Sequence, residues 1–286
     1  MTRALEALGI DVSAELLAQW ATWFAPEHQP FLLSPDSPLA RAGRALDSSM
    51  TMETRDTFEI YSLPDGIFCR GITYEEFMAL PREDRAELVR AQRALGRSQV
   101  PSVRAWPFIR PLGTAKQADG HRFVWWPTLL KGLEHEVLIP YIEEGRRASR
   151  HHEVDEQVWA EATVLLPDAR ALAAKFPPGS GPNCFGTVMG AAGVSGAASV
   201  WMQREPFEEW LSDVTRLGGS DDAPGTVLVW RSSTGLIQHA AVTLGGGWAL
   251  HKPSQGWMSP VKVLTVADVI GSARGADRRL SRRLMR

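Results

Sequence analysis

The sequence predicts an α+β fold in which a helix-rich N-terminal region, residues 1–155, precedes a domain of helices and antiparallel strands, residues 156–286. Three observations carry that expectation. Within VWAEATVLLPDARALAAKF and EPFEEWLSDVTRLGG the apolar residues recur at the helical period of about 3.6. From Thr226 onward the period falls to about 2, in four short pieces: TVLVW, LIQHAAVTL, WALHK and PVKVLTV. Helices followed by a run of short strands with tight turns is the layout of helices packed on an antiparallel sheet.

In chain order, MTRALEALGIDVSAELLAQWATWF reads as one amphipathic helix, and Glu6, Asp11 and Glu15 interrupt the apolar run a secretory signal needs. Thr73 and Glu76 form a capping box, after which Leu88, Ala91 and Leu95 keep helical spacing until Gly96. On that helix Arg82, Arg85, Arg90, Arg93 and Arg97 share one side, read as a solvated face. RAWPFIRPL and HRFVWWPTLL read as short buried strands or core turns, limited in length by Pro107, Pro111 and Pro127. In HHEVDE the adjacent His151 and His152 point apart on either a helix or a strand, and no further ligand has a recognisable spacing, so no metal is expected there. The basic end, RGADRRLSRRLMR, has Leu280, Leu284 and Met285 at helical spacing and reads as a terminal helix rather than a nucleic-acid contact.

Composition narrows the function classes. A net charge of −2 over 286 residues gives no bulk attraction to nucleic acid or to an anionic membrane. The longest uncharged run, Phe176 to Gln203, is mostly Gly, Ala and Ser and falls short of a bilayer span, so no membrane span is expected. Two cysteines, Cys69 and Cys184, make neither a disulfide framework nor a paired metal-ligand spacing, which points to a reducing, cytoplasmic setting.

One of those cysteines stands at a chemically useful place. In GSGPNCFGTVMGAAG, Asn183 is an N-cap preceded by breakers, so Cys184 falls in the first helical turn. Unpaired N–H groups and the helix dipole favour an anion there, predicting a thiol pKa below the free value of about 8.5. Gly186, Gly190, Ala191, Ala192, Gly193 and Ala197 predict a slender helix that lies close against the sheet.

A thiolate nucleophile needs a base, and LIQHAAVTLGGGWALHK offers two histidines. Alternation places His239, Ala241 and Thr243 on one face of the first strand. A three-residue loop of Gly245, Gly246 and Gly247 sets Leu244 opposite Trp248 and Ala241 opposite His251, which makes His239 and His251 diagonal neighbours on one face. Slipping the register by one residue would part them. Nucleophile, base and orienter are then all present.

NCFGTVMGAAG, followed about 55 residues later by IQHAAVTLGGGWALHKP, resembles the NlpC-type cysteine peptidases, a compact branch of the papain-like fold. The resemblance covers roughly residues 160–270 and implies a helix plus antiparallel sheet carrying Cys184 as nucleophile, His239 as base and His251 as orienter. Asn183 and Phe185 stand where the family has an acidic residue and a serine. The implied activity is hydrolysis of a small peptide or amide, such as cell-wall peptide fragments, with no metal or organic cofactor. Two other classes share these residues: a papain-like acyltransferase using the same Cys/His pair, with Trp248 and Trp257 walling an apolar cleft, and a non-catalytic interaction module.

Overall fold

A computed structural model describes residues 5–37, 44–45, 50–61, 65–97, 100–112 and 118–286. The chain divides into two units, Ser13–Tyr141 and a second made of Met1–Val12 with Ile142–Arg286. The helix expected from Met1 onward is not continuous. Residues 1–4 lie outside the described residues, and Glu6–Ala7 (β1) and Ile10–Asp11 (β2) pair antiparallel across Leu8 and Gly9, both in the left-handed region at φ 54 and 73. Helix begins only at Ala14–Phe24 (α1), where the Ser13 side chain accepts the Leu16 N–H and so starts it locally.

After α1, the Ser13–Tyr141 unit comprises Gln29–Leu33 (β3), Arg44–Ala45 (β4), Met52–Phe58 (α2), Phe68–Ile72 (β5), Tyr74–Ala79 (α3), Arg82–Ala94 (α4), Pro127–Leu130 (α5) and most of Glu134–Glu143 (α6). The Thr73/Glu76 capping box opens α3, as its spacing requires. Strand β5 lies between β3 and β4 in an antiparallel sheet, and Phe31, Phe77 and Trp126 pack together beside it. The aromatic pieces form 3-10 turns, Val103–Ala105 and Pro107–Leu112, and an irregular run with Phe123, Val124, Trp125 and Trp126 buried. Arg97 leaves the solvated stripe altogether. It is buried beyond the end of α4, donates to Pro30 O and, at 3.0 Å, to Gln92 Oε1, and sets its guanidinium 4.8 Å from the Phe58 ring centroid. A backbone carbonyl, a side-chain amide oxygen and an aromatic face solvate it where water cannot.

The second unit continues with Glu156–Thr163 (α7), Ala169–Leu172 (α8), Cys184–Ala191 (α9), Arg204–Val214 (α10), Thr215–Leu217 (β6), Thr226–Arg231 (β7), Ile237–Gly245 (β8), Trp248–His251 (β9), Lys262–Thr265 (β10), Val266–Ser272 (α11) and Arg279–Met285 (β11). The strands form one antiparallel sheet in the order β10-β9-β8-β7-β11-β6, so mixed helix and antiparallel sheet is the architecture. The four expected strands are β7 to β10. The basic end is not a helix: β11 inserts between β7 and β6, pairing Leu280 with Trp230 and Leu284 with Arg216. Both the sheet face and the neighbouring backbone give Leu280 and Met285 more burial than a frayed helix would.

Alternation along the strands divides the sheet into two faces. Val227, Val229, Ala240, Val242, Leu250 and Val263 pack with α9 on one side. Leu228, Trp230, Ala241, Ala249 and Leu264 pack with Val266 and Val269 of α11 on the other. Each large aliphatic residue buried in this way contributes about 1.5–3 kcal/mol. The glycines of α9 face elsewhere than expected. A Cβ on Gly186 would lie 2.3 Å from Ala197 O, and one on Gly190 2.6 Å from the Ala198 Cβ, so the missing side chains admit the turn at residues 197–199 rather than the sheet. Among the described residues, no helix is long and apolar enough to cross a membrane.

Candidate active site

Asn183 starts α9 as its sequence requires: its Oδ1 accepts the Gly186 N–H at 3.1 Å, and its Nδ2 donates to Met202 O at 2.8 Å. Cys184 is therefore the first residue of the helix, and it is 9% exposed. Its thiol is approached by three backbone N–H groups, from Ala240, Phe185 and Cys184 itself. The Ala240 amide is available because of how β8 pairs. Thr243 O accepts the Gly225 N–H on the β7 side, so by alternation Ala240 directs its N–H toward β9. Strand β9 ends at His251, opposite Ala241 in this register.

The expected fall in the thiol pKa does not occur. Burial pushes Cys184 up to about 11, against the N–H groups of Ala240, Phe185 and Cys184 and the nearby Lys252 cation, all of which favour the thiolate. Losing water costs the anion more than three amides and a helix end return.

The hairpin that carries the histidines is tighter than the sequence reading. Gly245, not Leu244, stands opposite Trp248, and the turn consists of Gly246 and Gly247 at φ 56 and 77, the left-handed pair that a two-residue turn demands. A bulge between Thr243 and Gly245 absorbs the extra residue. Beyond it Thr243 faces Ala249 and Val242 faces Leu250, which restores the alignment and leaves both histidines on one face. His239 Nε2 and His251 Nε2 are 2.8 Å apart with the rings nearly perpendicular at 85°, and the Trp230 ring lies 5.4 Å from that of His239.

Both rings are neutral near pH 7. Burial holds His239 down to about 4, with Arg278 adding to it. Burial also holds His251 well below the usual range, helped by His239, Lys262 and Lys252. Because Trp230 faces His239 across β7 and β8, the histidine pair occupies the α11 face of the sheet, whereas the body of α9 packs on the other. The groups that favour the Cys184 thiolate are the main-chain N–H groups of Ala240, the residue after His239, of Phe185 and of Cys184 itself, with the Lys252 ammonium, and neither histidine is among them.

The surroundings include residues that the sequence reading passed over. Lys252 and Lys262 are almost fully buried, Lys252 Nζ donating to Ser259 O at 2.5 Å and Lys262 Nζ to Arg147 O at 2.8 Å. Their signal was present in HKP and VKV, where a lysine interrupts strand pieces that are otherwise apolar. Trp257 is fully buried, and its main-chain N–H donates to Ser180 Oγ at 3.1 Å, tying the loop after β9 to the loop before Cys184. The Gly181 N–H to Gln255 O bond, 2.9 Å, adds a second tie. Trp248 is half-buried with the Arg150 guanidinium over its ring at 4.9 Å. His151 and His152 lie in a 3-10 turn, where His151 Nδ1 is 3.3 Å from Ser149 Oγ. Comparison of the chain with protein-family models, with curated proteins and with solved structures gives no match.

Proposed function

We propose that the unit containing residues 142–286 is a cysteine-dependent amide hydrolase of papain-like, NlpC-type architecture, acting on a small peptide or amide such as a cell-wall peptide fragment. Cys184 is the nucleophile, His239 the general base and His251 the residue that orients it. The observation that carries this reading is the pairing of His239 Nε2 with His251 Nε2, at 2.8 Å, one residue from the amide that holds the Cys184 thiol. With Nε2 engaged, Nδ1 is the His239 nitrogen left for the thiol proton.

Thiol and imidazole are both neutral at rest, so proton transfer accompanies attack instead of preceding it. Sγ bonds to the carbonyl carbon as its proton passes to His239 by way of an intervening water, since the two side chains start from opposite faces of β8. The N–H groups at the start of α9 stabilise the oxyanion that forms. Collapse breaks the C–N bond, the departing amine takes the proton from His239, and water then cleaves the thioester. A screen of short peptides and simple amides, with wild type against Cys184→Ala, tests this. Loss of roughly 1,000-fold or more in turnover is expected, and undiminished turnover in the variant overturns the assignment.

The deep burial of the thiol, 9% exposed, favours one second reading, acyl transfer to an amine or alcohol in a site that restricts water. An acyl adduct on Cys184 that discharges only when such an acceptor is added would select it.

A further inference from the structure

The sheet face that carries the two histidines also carries Lys262. It is the cross-strand partner of His251 between β9 and β10, and both line a cavity of about 570 Å³ together with Pro253, Ser254, Ser259 and Leu264. A cavity of that size holds a small organic molecule. Lys262 is 4% exposed, and its hydrogen-bond partner among the described residues is a neutral one, Arg147 O at 2.8 Å. Burial without a carboxylate partner favours the uncharged amine. Burial, with Arg146 adding to it, holds the Lys262 ammonium down to about 8. At pH 7 roughly a tenth of such an amine is uncharged, against well under a hundredth of an ordinary lysine at about 10.4. The neutral amine keeps an N–H for Arg147 O and still has a lone pair to give. On the facing strand the His251 ring is 2% exposed, its Nε2 is engaged with His239, and its Nδ1 is buried without a hydrogen-bond partner. A nucleophilic nitrogen and an unused ring nitrogen thus belong to paired residues on the wall of one cavity.

We propose that this cavity takes a small aldehyde, which Lys262 binds covalently as an imine while the Nδ1–H of His251 holds its carbonyl oxygen. Desolvation is what turns a lysine into a nucleophile for carbonyl carbon. Nζ bonds to that carbon, and one nitrogen proton passes through a solvent water to the carbonyl oxygen, giving a carbinolamine. The second nitrogen proton reaches the hydroxyl by the same route, the C–O bond breaks, and water leaves behind a neutral imine. The donor at His251 polarises the carbonyl in the first stage and supports the departing oxygen in the second. His251 uses Nδ1 for this, so its Nε2 contact with His239 stays in place. Cys184 lies outside this chemistry.

Propanal with cyanoborohydride, which reduces an imine to a stable secondary amine, tests the site in the full chain, with peptide mapping to compare Lys262 with the exposed Lys131. At pH 7 Lys262 is expected to be alkylated about tenfold or more faster than Lys131. Its rate saturates as propanal is raised, because the aldehyde first occupies the cavity, whereas the rate at Lys131 rises in proportion. His251→Gln slows Lys262 by about threefold or more and leaves Lys131 unchanged. Alkylation of Lys262 no faster than Lys131, a rate that never saturates, or an unchanged Lys262 rate in His251→Gln would overturn the proposal. Should His251→Gln not fold, the two wild-type rates decide the matter. Cys184→Ala retains wild-type alkylation at Lys262, so failure of the hydrolase reading alone would leave the imine site intact.

Discussion

His239 sits against Trp230 with its partner His251 almost sealed from water, and burial makes their charged forms costly. An unfolded histidine titrates near 6.5, and His239 in the fold near 4. Between these values the unfolded chain binds a proton that the folded chain refuses. The stability this provides is complete above pH 6.5 and is lost as the pH falls through that window. His239 alone accounts for on the order of 3 kcal/mol. Urea unfolding at pH 7 and pH 4.5 is therefore expected to show a marked drop in stability, and His239→Gln a shallower one. Equal slopes for the two proteins would mean that the ring is not held neutral by the fold. Cys184 obeys the same physics: its identity and its place after Asn183 are legible in sequence, but the direction of its titration depends on burial that no local pattern reports.

At the scale of elements, short-range rules worked where the determinants are short-range. The capping box at Thr73, the cap at Asn183 and the alternation of β7 to β10 involve residues only a few positions apart. β11 was not legible, because RRLSRRLM supports either a helical or a strand period and the choice is made by β7 and β6 on either side of it. The hairpin combines both cases. Its glycines announce a turn, but the bulge that lets a two-residue turn keep the histidines on one face is set by packing along β8. The glycines of α9 give the direct test at this scale. Gly186→Ala places a Cβ 2.3 Å from Ala197 O, a backbone atom that cannot swing away, and is expected to cost about 1–3 kcal/mol or more. Gly271→Ala in α11 meets nothing within 4 Å and should gain about 0.5–1 kcal/mol. Thermal melts that rank the two the other way would contradict the packing described for α9.

At the scale of the whole molecule, the least legible feature is the return of the first residues to the C-terminal unit. Leu8, 2% exposed, donates its N–H to Glu143 Oε1 at 2.9 Å and accepts the Ser149 N–H at 2.7 Å. These contacts join residues more than a hundred positions apart, and neither segment has a pattern that names the other. Leu8→Ala is expected to destabilise the unit by about 2–4 kcal/mol, read by urea unfolding, and a change within error of zero would show that the segment does not form part of its core. The proposed function is placed in the same unit, and its central claim is a covalent one: that Cys184, assisted by His239, attacks an acyl carbon. Intact-mass and peptide-mapping analysis of the full chain after brief exposure to an activated peptidyl ester measures this most directly. The account predicts an acyl group on Cys184 in the wild type, none in Cys184→Ala, and slow acylation in His239→Gln. Acylation at Cys69, no acylation at all, or an undiminished rate in His239→Gln would contradict it.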